Sequence, residues 1–399
     1  MNILVLYCLL VPAGILAFLF LLNTDDKKNS SGSMDVTTLL AGENNEGFSK
    51  AIKVRPFTFP ADHGPHPNFR NEWWYITGNL WDENNTRYGY QLTFFRRGLV
   101  PQSNNKENHA QNNAGWNDKN IYMAHFAISN HHTGEFIARE KLGRNGANVA
   151  GAIATPFHVW LDDWAIQSER DGSLFPLTLK AENSSLAIEL TLDTDKPIVL
   201  QGNQGLSQKS AETGNASYYY SFTRLNTSGT LTQQPASTIE PNSSNKPATK
   251  QHTVHGSSWL DREWSSSALS REQQGWDWFA LQLHSGEEVM FYRLRNKDGS
   301  ASRFSSGVLV SADGHSIPLT AKSVTLTPIK YWQKGEHRFP IEWRIQIASN
   351  NLTRDWTIST PIKDQLLEVS VHYWEGAIDV VDSNSRAPSG YGFLEMTAY

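Results

Sequence analysis

Three carboxylates of the sequence stand close to tryptophans: Asp261, Glu263 and Asp277. Burial among aromatic rings raises the pKa of a carboxylic acid, because its ionised form loses hydration, and such a group can act as a general acid near neutral pH. The alternative for Asp261 and Glu263 is a buried ion pair with Arg262 or Arg96 that holds the sheet together. For Asp277 the alternative is an outward-facing position on a strand whose neighbours face inward.

The densest chemical segment spans residues 62–75 and holds two histidines, two carboxylates and three consecutive aromatics in a loop that enters a strand. Loops on rigid β-scaffolds carry a large share of functional residues. His63 and His66 are three residues apart, but on an irregular loop this spacing defines no ligand geometry, so no metal site is predicted. Because side chains alternate along a strand, the consecutive aromatics must point to both faces. If the sheet closes into a barrel, one face lines a cavity.

Other strands add isolated candidates for substrate binding. His125 lies inside an apolar strand and Tyr219 inside a run of three tyrosines, and core packing is the default alternative for both. The predicted substrate-binding residues are His63, Glu72, Trp73, Trp74, Tyr75, His125, Tyr219, Trp264 and Trp276.

Short alternating runs, and not helical periodicity, dominate the chain from about residue 50 onward. They are rich in β-branched and aromatic residues, and turn residues such as Asn84-Asn85 and Asp313-Gly314 separate them. Many short strands with regular turns predict an all-β protein built as an antiparallel sandwich or barrel. The clearest runs are 88–95, 121–128, 186–192, 308–310 and 369–374.

An internal sequence repeat indicates two related β-domains. The segment Trp73–Leu80 resembles Trp276–Leu283, and after a turn Phe94–Arg96 resembles Phe291–Arg293. Each copy predicts a strand, a hairpin and a second strand that ends in arginine. The length of 399 residues also favours two domains. Their predicted bounds are 46–270 and 271–399.

A low-complexity segment near residues 226–253 is predicted to be disordered. It is either a linker between domains or an enlarged hairpin loop inside the first domain. Ser228–Thr232 and His252–Val254 resemble two strand arms, which favours a hairpin loop over 228–252.

Composition excludes several classes of function. Forty acidic against 35 basic residues give a net charge of −5, which disfavours nucleic-acid binding through phosphate neutralisation. The single cysteine, Cys8, excludes a disulfide framework and a thiolate zinc site in the globular part. Motifs of serine hydrolases, zinc proteases, phosphate-loop enzymes and dinucleotide enzymes are absent. The unusual feature is the aromatic content, which includes 14 tryptophans.

The N-terminal apolar run from Ile3 to Leu22 is 20 residues long, the length of a membrane-spanning helix. It predicts a transmembrane signal anchor, or else a cleaved signal helix, over residues 1–22, and a flexible tether over 23–45. Flanking charges barely favour either orientation. The Asn- and Ser-rich loops favour a body on the extracytoplasmic, periplasmic side of the membrane.

Seven ordered segments of the sequence resemble the hydroxyneurosporene synthase (carotenoid 1,2-hydratase) and AttH-like family, whose members are often described as predicted secreted hydrolases. The resemblance implies two lipocalin-like antiparallel β-domains. Characterised members hydrate an isolated carbon–carbon double bond of a carotenoid without an organic cofactor, so the resemblance implies no cofactor. The segments are Asp62–Gly78, Gln91–Arg96, Lys196–Gly202 with Gly205–Ser207, Ala216–Ser221, Trp259–Ser267, Gly275–Phe279 and Tyr373–Gly376.

Hydration of an alkene suits an aromatic pocket. Protonation gives a carbocation, which requires one acid, aromatic faces that stabilise the cation and a dry cavity that admits a water. The resemblance implies an Asp acid near His, Trp and Tyr, and Asp261 and Trp264 match this pattern. Arg262 stands where the family's Asp-His-x-Trp stretch has histidine, and this departure weakens the assignment of the carotenoid reaction. Asp277 is a second candidate for the acid.

Three functions stay open at this stage. One is an extracytoplasmic enzyme of hydratase or hydrolase type that acts on a lipid or isoprenoid-like substrate. Another is a non-catalytic carrier that holds a lipophilic ligand in a barrel mouth. The third is a structural or assembly factor. The expected partners are a hydrophobic small molecule or lipid, the membrane through the N-terminal helix, and a membrane protein, with no nucleic acid.

Overall fold

The computed structural model describes residues 34–35, 45–101, 119–183, 185–233, 249–267, 269–349 and 352–399. These residues form 24 β-strands and one short 3-10 helix, Ala61–His63, and they contain no α-helix, so the predicted all-β class is confirmed. In chain order the strands are β1 (Met34–Asp35), β2 (Asn71–Asp82), β3 (Arg87–Gly98), β4 (Asn120–Asn130), β5 (Glu135–Arg144), β6 (Ala150–Ala154), β7 (Phe157–Leu161), β8 (Trp164–Ser168), β9 (Leu177–Glu182), β10 (Leu186–Asp193), β11 (Val199–Leu200), β12 (Leu206–Gln208), β13 (Ala216–Gln233), β14 (Lys250–Ser265), β15 (Gln273–Leu283), β16 (Glu288–Asn296), β17 (Ser306–Val310), β18 (Ser316–Thr320), β19 (Val324–Lys334), β20 (His337–Ser349), β21 (Leu352–Ser359), β22 (Leu366–Glu368), β23 (Val371–Asp382) and β24 (Pro388–Met396).

The strands form two sheets. The N-terminal sheet has 13 strands in the order β5-β4-β3-β2-β14-β13-β10-β9-β8-β7-β6, with β11 and β12 also paired to β13. The C-terminal sheet has 11 strands in the order β18-β17-β16-β15-β24-β23-β21-β20-β19, with β22 and β1 also paired to β23. Both sheets end in strands that are consecutive in the chain, and the C-terminal sheet is a nearly closed barrel, as expected for a lipocalin-like fold.

The strands at the centre of the molecule are buried on both faces. Nearly every residue of β2, β3 and β15 is buried, whereas β10 alternates between inward and outward residues. Alternation is typical of an antiparallel strand with one solvated face. The central strands lose it because one face packs into the core of their own sheet and the other face packs against the second sheet. Aromatic and apolar residues that fill the space between the sheets include Tyr75, Tyr219, Trp259, Trp278, Met290 and Phe393.

Both copies of the predicted repeat are hairpins. In the first, β2 and β3 pair Glu72 with Arg96, and in the second, β15 and β16 pair Asp277 with Arg293. The arginine that the repeat predicts near the end of each second strand is present, and the structure adds that each one stands opposite a carboxylate.

Some predicted segments lie outside the described residues. β13 and β14 pair as far as Gln233 opposite Lys250, so the arms of the predicted hairpin are present, but residues 234–248 between them are not described. The same holds for the predicted anchor over 1–22 and for the tether over 23–45, apart from β1 and Asn45. Within the described ranges, no helix has the length and apolarity needed to cross a membrane. The division into domains 46–270 and 271–399 stays a prediction. Strands β2–β14 lie in the N-terminal sheet, and strands β15–β24 lie in the C-terminal sheet.

Candidate active site between the two sheets

A cavity of about 100 Å³ lies between the facing surfaces of the two sheets. The expectation of a ligand in a barrel mouth does not describe this cavity, because its walls come from both sheets. The lining residues are Trp73, Tyr75, Thr93, Phe95, Lys209, Tyr219, Asp261, Glu263, Ser267 and Leu269 from the first part of the chain, and Trp276, Trp278, Tyr292, Leu294, Tyr373 and Glu395 from the second.

One row of side chains crosses the N-terminal sheet on the cavity side. Asp261 on β14 stands opposite Tyr75 on β2, Tyr75 opposite Thr93 on β3, and Thr93 opposite His125 on β4. Residues directly opposite each other in antiparallel strands point to the same face of the sheet. A second row, two residues along each strand, carries Tyr219, Glu263, Trp73 and Phe95. The strand period of two therefore brings six of the twelve predicted residues together.

Asp261 is a carboxyl group held by neutral donors. It accepts hydrogen bonds from Ser221 Oγ at 2.5 Å, from Trp259 Nε1 at 2.7 Å and from the Tyr219 hydroxyl. Burial raises the pKa of Asp261 to about 7, although the three donors lower it, and the neighbouring Glu263 raises it further. A carboxyl group with this pKa is partly protonated at neutral pH, which is the state that a general acid requires.

Two glutamates of the C-terminal sheet add further acids. Glu395 accepts a hydrogen bond from Trp276 Nε1 at 2.6 Å, and Glu375 accepts one from the Tyr75 hydroxyl at 2.5 Å. Burial raises the pKa of Glu395 to about 7. Burial and the charge of Glu395 raise the pKa of Glu375 well above its usual range. The cavity therefore gathers carboxyl groups with raised pKa values from both sheets.

Lys209 brings a positive charge to the cavity. Its Nζ lies 3.2 Å from Glu263 Oε1 and 4.1 Å from the centre of the Tyr292 ring. Burial alone would lower the pKa of Lys209, but Glu263 and Tyr292 outweigh burial and raise it. Glu263 is thus one half of an ion pair, whereas Asp261 has neutral partners. Of these two predicted acids, Asp261 is the better proton donor.

Glu72 and Trp74 lie on the opposite face of β2, inside the N-terminal sheet. Glu72 is completely buried, yet Arg96 and Arg262 pair with it and hold its pKa well below the usual range. The Arg262 guanidinium also lies 3.9 Å from the centre of the Trp74 ring. The predicted arginine ion pair therefore exists, but with Glu72 as the carboxylate and not Asp261. Arg262 likewise does not line the cavity.

His63 and Trp264 also belong to this interior. The ring of Trp264 stacks on His66 with 3.7 Å between ring centres. His63 Nδ1 lies 2.7 Å from the Tyr220 hydroxyl, and burial lowers the pKa of His63 to about 4. These residues hold the loop 62–70 on the sheet, and the structure separates them from the cavity.

Asp277 lies on the face of β15 that points into the C-terminal core. Arg293 Nε donates to Asp277 Oδ2 at 2.7 Å, the Tyr399 hydroxyl donates to Oδ1 at 2.7 Å, and Arg295 Nε lies 3.4 Å from Oδ1. Its neighbours Trp276 and Trp278 point the other way and line the cavity. The structure therefore places Asp277 among structural ion pairs, apart from Asp261.

His125 stands one layer behind the cavity wall. It is completely buried, and its Nδ1 lies 2.7 Å from the hydroxyl of Tyr373, which lines the cavity. His125 therefore does not line the cavity itself, as predicted for a substrate-binding residue, but contacts Tyr373, which does.

Sequence reasoning missed several residues at this site. Tyr373 and Glu375 fall in one of the family-like segments, which was a usable signal. Glu395 is an acid in an otherwise apolar strand, the same signal that marks His125. Lys209 stands among polar residues and gives no signal. The missed residues are Lys209, Trp278, Tyr292, Tyr373, Glu375 and Glu395.

Comparisons with known proteins agree with this architecture. The model of the AttH-like family matches residues 50–399. A solved structure assigned as an AttH from Nitrosomonas europaea is similar, with 29% identity, a TM-score of 0.73, and coverage of 88% of this chain and 100% of that one. Kievitone hydratase from Nectria haematococca shares the fold at 16% identity and a TM-score of 0.61, with coverage of 88% and 97%. A structure of CghA with Sch210972 shares it at 12% identity and a TM-score of 0.50, with coverage of 92% and 98%. No curated protein sequence matches the chain.

Proposed function

The chain belongs to the AttH-like family, and we propose that it is an enzyme that adds water to a carbon–carbon double bond of a hydrophobic, isoprenoid-like substrate, with Asp261 as the proton donor. The observation that carries this proposal is a carboxyl group whose pKa is about 7 and whose partners are neutral, in an aromatic cavity. The name of kievitone hydratase, which shares the fold, supports a hydratase-type reaction.

The chemistry follows from the groups around Asp261. Protonated Asp261 transfers its proton to the less substituted alkene carbon, and the positive charge develops on the more substituted one. The ring faces of Tyr75, Trp276 and Trp278 stabilise that charge through their negative quadrupoles. A water molecule then forms a bond to the cationic carbon and loses a proton. Asp261, left ionised, keeps the hydrogen bonds that Ser221 and Trp259 donate.

The size of the cavity limits the part of the substrate that reacts. A cavity of about 100 Å³ is smaller than the roughly 150 Å³ engineered cavity that binds benzene. We propose that only the branched end of an acyclic isoprenoid enters the cavity. We therefore expect hydration at a terminal double bond, with the remaining chain outside the cavity.

The test is hydration of acyclic isoprenoid alkenes, with squalene in detergent micelles as the first probe and water labelled with oxygen-18. We expect the wild-type protein to produce a labelled tertiary alcohol, detected by mass spectrometry. Asp261→Asn should lose the activity, while Asp171→Asn, an exposed carboxylate of a turn, should keep it. Equal turnover in wild type and Asp261→Asn would contradict the proposal.

A second candidate function is transport of a lipophilic ligand without chemistry. The observation in its favour is that most residues of the cavity wall are apolar or aromatic. Mass spectrometry of lipids that co-purify with the full chain separates the two functions. A stably bound and chemically unchanged lipid, together with no labelled alcohol from any alkene probe, would favour the carrier.

We also propose that residues 3–22 tether the body to a membrane on its extracytoplasmic side, which places the cavity close to lipid-soluble substrates. The support is the length and apolarity of this run. Fractionation of cells that express the full chain or a chain from residue 46 tests it. The full chain should pellet with membranes and the shortened chain should not.

A further inference from the structure

A chain of three polar groups that the proton donor does not use leads from Tyr373 in the cavity wall through His125 to Glu140 behind it. His125 stands directly opposite Thr93 on one side and Glu140 of β5 on the other. The side chains of Thr93, His125 and Glu140 point to the face of the N-terminal sheet that carries Asp261 and Tyr75. The row that begins at Asp261 therefore continues across two more strands to Glu140.

The Tyr373 hydroxyl lies between Gln91 and His125. The Gln91 side-chain amide donates to this hydroxyl at 3.0 Å, and His125 Nδ1 lies 2.7 Å from it, where an unprotonated Nδ1 accepts the hydrogen of Tyr373. With Nδ1 as the acceptor, the neutral imidazole carries its hydrogen on Nε2. The hydroxyl of Tyr373 is thus placed to give its proton to a base as it receives another from the cavity.

Glu140 stands at the far side of the imidazole. Its Oε1 lies 3.9 Å from His125 Nε2, a fully buried atom that has no hydrogen-bond partner among the described residues. The carboxylate of Glu140 is oriented by the backbone N–H of Ser370 at 2.9 Å and by the Ser370 hydroxyl. Glu140 and Tyr373 therefore stand at the two nitrogen atoms of the same imidazole ring.

We propose that Tyr373, His125 and Glu140 form the base side of the reaction, with Tyr373 accepting the proton that the attacking water loses. This inference rests on the proposed hydration. The arrangement has the logic of a hydroxyl–imidazole–carboxylate triad, in which the carboxylate orients the imidazole and stabilises its charged form. Tyr373 is the group that touches the water, and His125 and Glu140 act through it.

The proton balance closes within the site. The water oxygen bonds to the cationic carbon, one water hydrogen moves to the Tyr373 oxygen, and the phenolic hydrogen of Tyr373 moves to His125 Nδ1. The imidazolium then faces Glu140. After the alcohol leaves, the hydrogen on Nδ1 returns to Tyr373, and the excess proton passes through cavity water to ionised Asp261. The net reaction is the addition of one water to one alkene.

The two transfers at Tyr373 must occur together. Burial and the charges of Glu375, Glu395 and Glu140 raise the pKa of Tyr373 well above its usual range, although the hydrogen bond from Gln91 lowers it. A free phenolate is therefore disfavoured as a standing intermediate. Apolar residues pack in one cluster with Tyr373: Met123, Ala127, Leu367 and Val371.

The experiment compares Tyr373→Phe, His125→Gln and Glu140→Gln with wild type in the squalene assay with the full chain. We expect kcat to fall about 100-fold for the first two and about tenfold for Glu140→Gln, with KM within about twofold, because base catalysis acts after binding. Glu135→Gln, an exposed residue at the start of the same strand, is the matched control and should keep full activity.

Chemical rescue separates this role from a structural one. The Glu140 side chain is 12% exposed, so formate can reach the space left in Glu140→Ala. We expect formate to restore part of the lost kcat in Glu140→Ala and to have no effect on His125→Gln. A structural loss would respond to formate in neither variant, and that result would overturn the proposal.

A nitrogen-15 spectrum of histidine-labelled protein gives a readout without turnover. His125, assigned by the signal that His125→Gln removes, should carry its hydrogen on Nε2, and a hydrogen on Nδ1 would overturn the proposal. Full activity in the three variants, with loss in Asp261→Asn, would overturn the base side alone. A wild-type protein that hydrates none of the alkene probes would contradict the proposed function and the base side with it.

Discussion

Asp261 and Asp277 are two aspartates in tryptophan-rich strands, and the structure gives them opposite environments. Asp261 points into the space between the sheets, where Ser221, Trp259 and Tyr219 donate neutral hydrogen bonds to it. Asp277 points into the core of its own sheet, where arginines pair with it. An acid needs burial without a positive partner, and a structural carboxylate needs burial with one. An aspartate beside tryptophans on a strand can therefore meet either requirement, and the face of the sheet to which it points decides which one.

The largest effect expected from this comparison is on turnover. Asp261→Asn should lower kcat for alkene hydration about 1000-fold, because removal of a general acid costs between 10²- and 10⁴-fold. Asp277→Asn should stay within about threefold of wild type per folded molecule, since its side chain lies outside the cavity. Steady-state rates, corrected for the folded fraction by circular dichroism, measure both. A large loss in Asp277→Asn would break the distinction.

The free energy of unfolding should decrease more in Asp277→Asn than in Asp261→Asn, the reverse of the order expected for turnover. Asp277→Asn leaves Arg293 and Arg295 without their carboxylate, and breaking a buried ion pair costs about 3–5 kcal/mol. Some of that charge reaches solvent here, so we expect a decrease of about 3 kcal/mol in the free energy of unfolding, measured with urea at pH 7. Asp261→Asn should lose no stability at this pH, because it removes a carboxyl group that is costly to ionise.

The pH dependence of stability sharpens this difference. The pKa of Asp261 is about 7 in the folded protein and near 4 in the unfolded chain, so ionisation disfavours the folded state. The stabilising contribution of Asp261 to the free energy of unfolding is complete below pH 4 and is lost as the pH rises to 7. Relative to wild type, Asp261→Asn should therefore gain about 1 kcal/mol per pH unit between pH 4 and pH 7 and nothing further above it. Urea titrations at pH 4, 5, 6, 7 and 8 test this slope, and a parallel pair of curves would contradict it.

The smallest expected effect concerns the neutral donors of Asp261. Trp259→Phe removes the N–H that donates to Asp261 Oδ1 at 2.7 Å, and this bond lowers the pKa of Asp261. The midpoint of the alkaline limb of kcat against pH should move upward by about half a unit. Trp160→Phe, on β7 in the N-terminal sheet, is the control and should leave the midpoint in place. A downward shift in Trp259→Phe would mean that Asp261 is not the acid that titrates.

Much of the fold was predictable because it rests on local patterns. Alternation over runs such as 88–95 and 121–128 identified strands, and the echo of Trp73–Leu80 in Trp276–Leu283 identified two hairpins that the structure confirms. These patterns depend on neighbours in sequence, where strand geometry defines which side chains share a face. The family resemblance was also present in short segments, and the match over residues 50–399 confirms it.

The site was predictable only in part. Asp261, Tyr75, Trp73 and Tyr219 meet at the cavity, but His63, Glu72, Trp74 and Trp264 came from the same segments and point the other way. Alternation assigns the strand residues of the two sets to opposite faces, but it does not say which face meets the second sheet, and it does not apply to His63 in the 3-10 helix. Glu375 reaches Tyr75 across 300 residues of sequence, and no local pattern predicts such a contact.

The sequence by itself determined the strands, the paired hairpins, the membership of a family and the presence of acids beside tryptophans. Tertiary structure decided which of those acids lies in the cavity without a positively charged partner. The physical reason is that a carboxyl pKa depends on the charge and hydration of every neighbour within several ångströms. For Asp261 those neighbours come from β13, β14 and, through the cavity, the C-terminal sheet, and only the packing of the two sheets keeps arginine away from it.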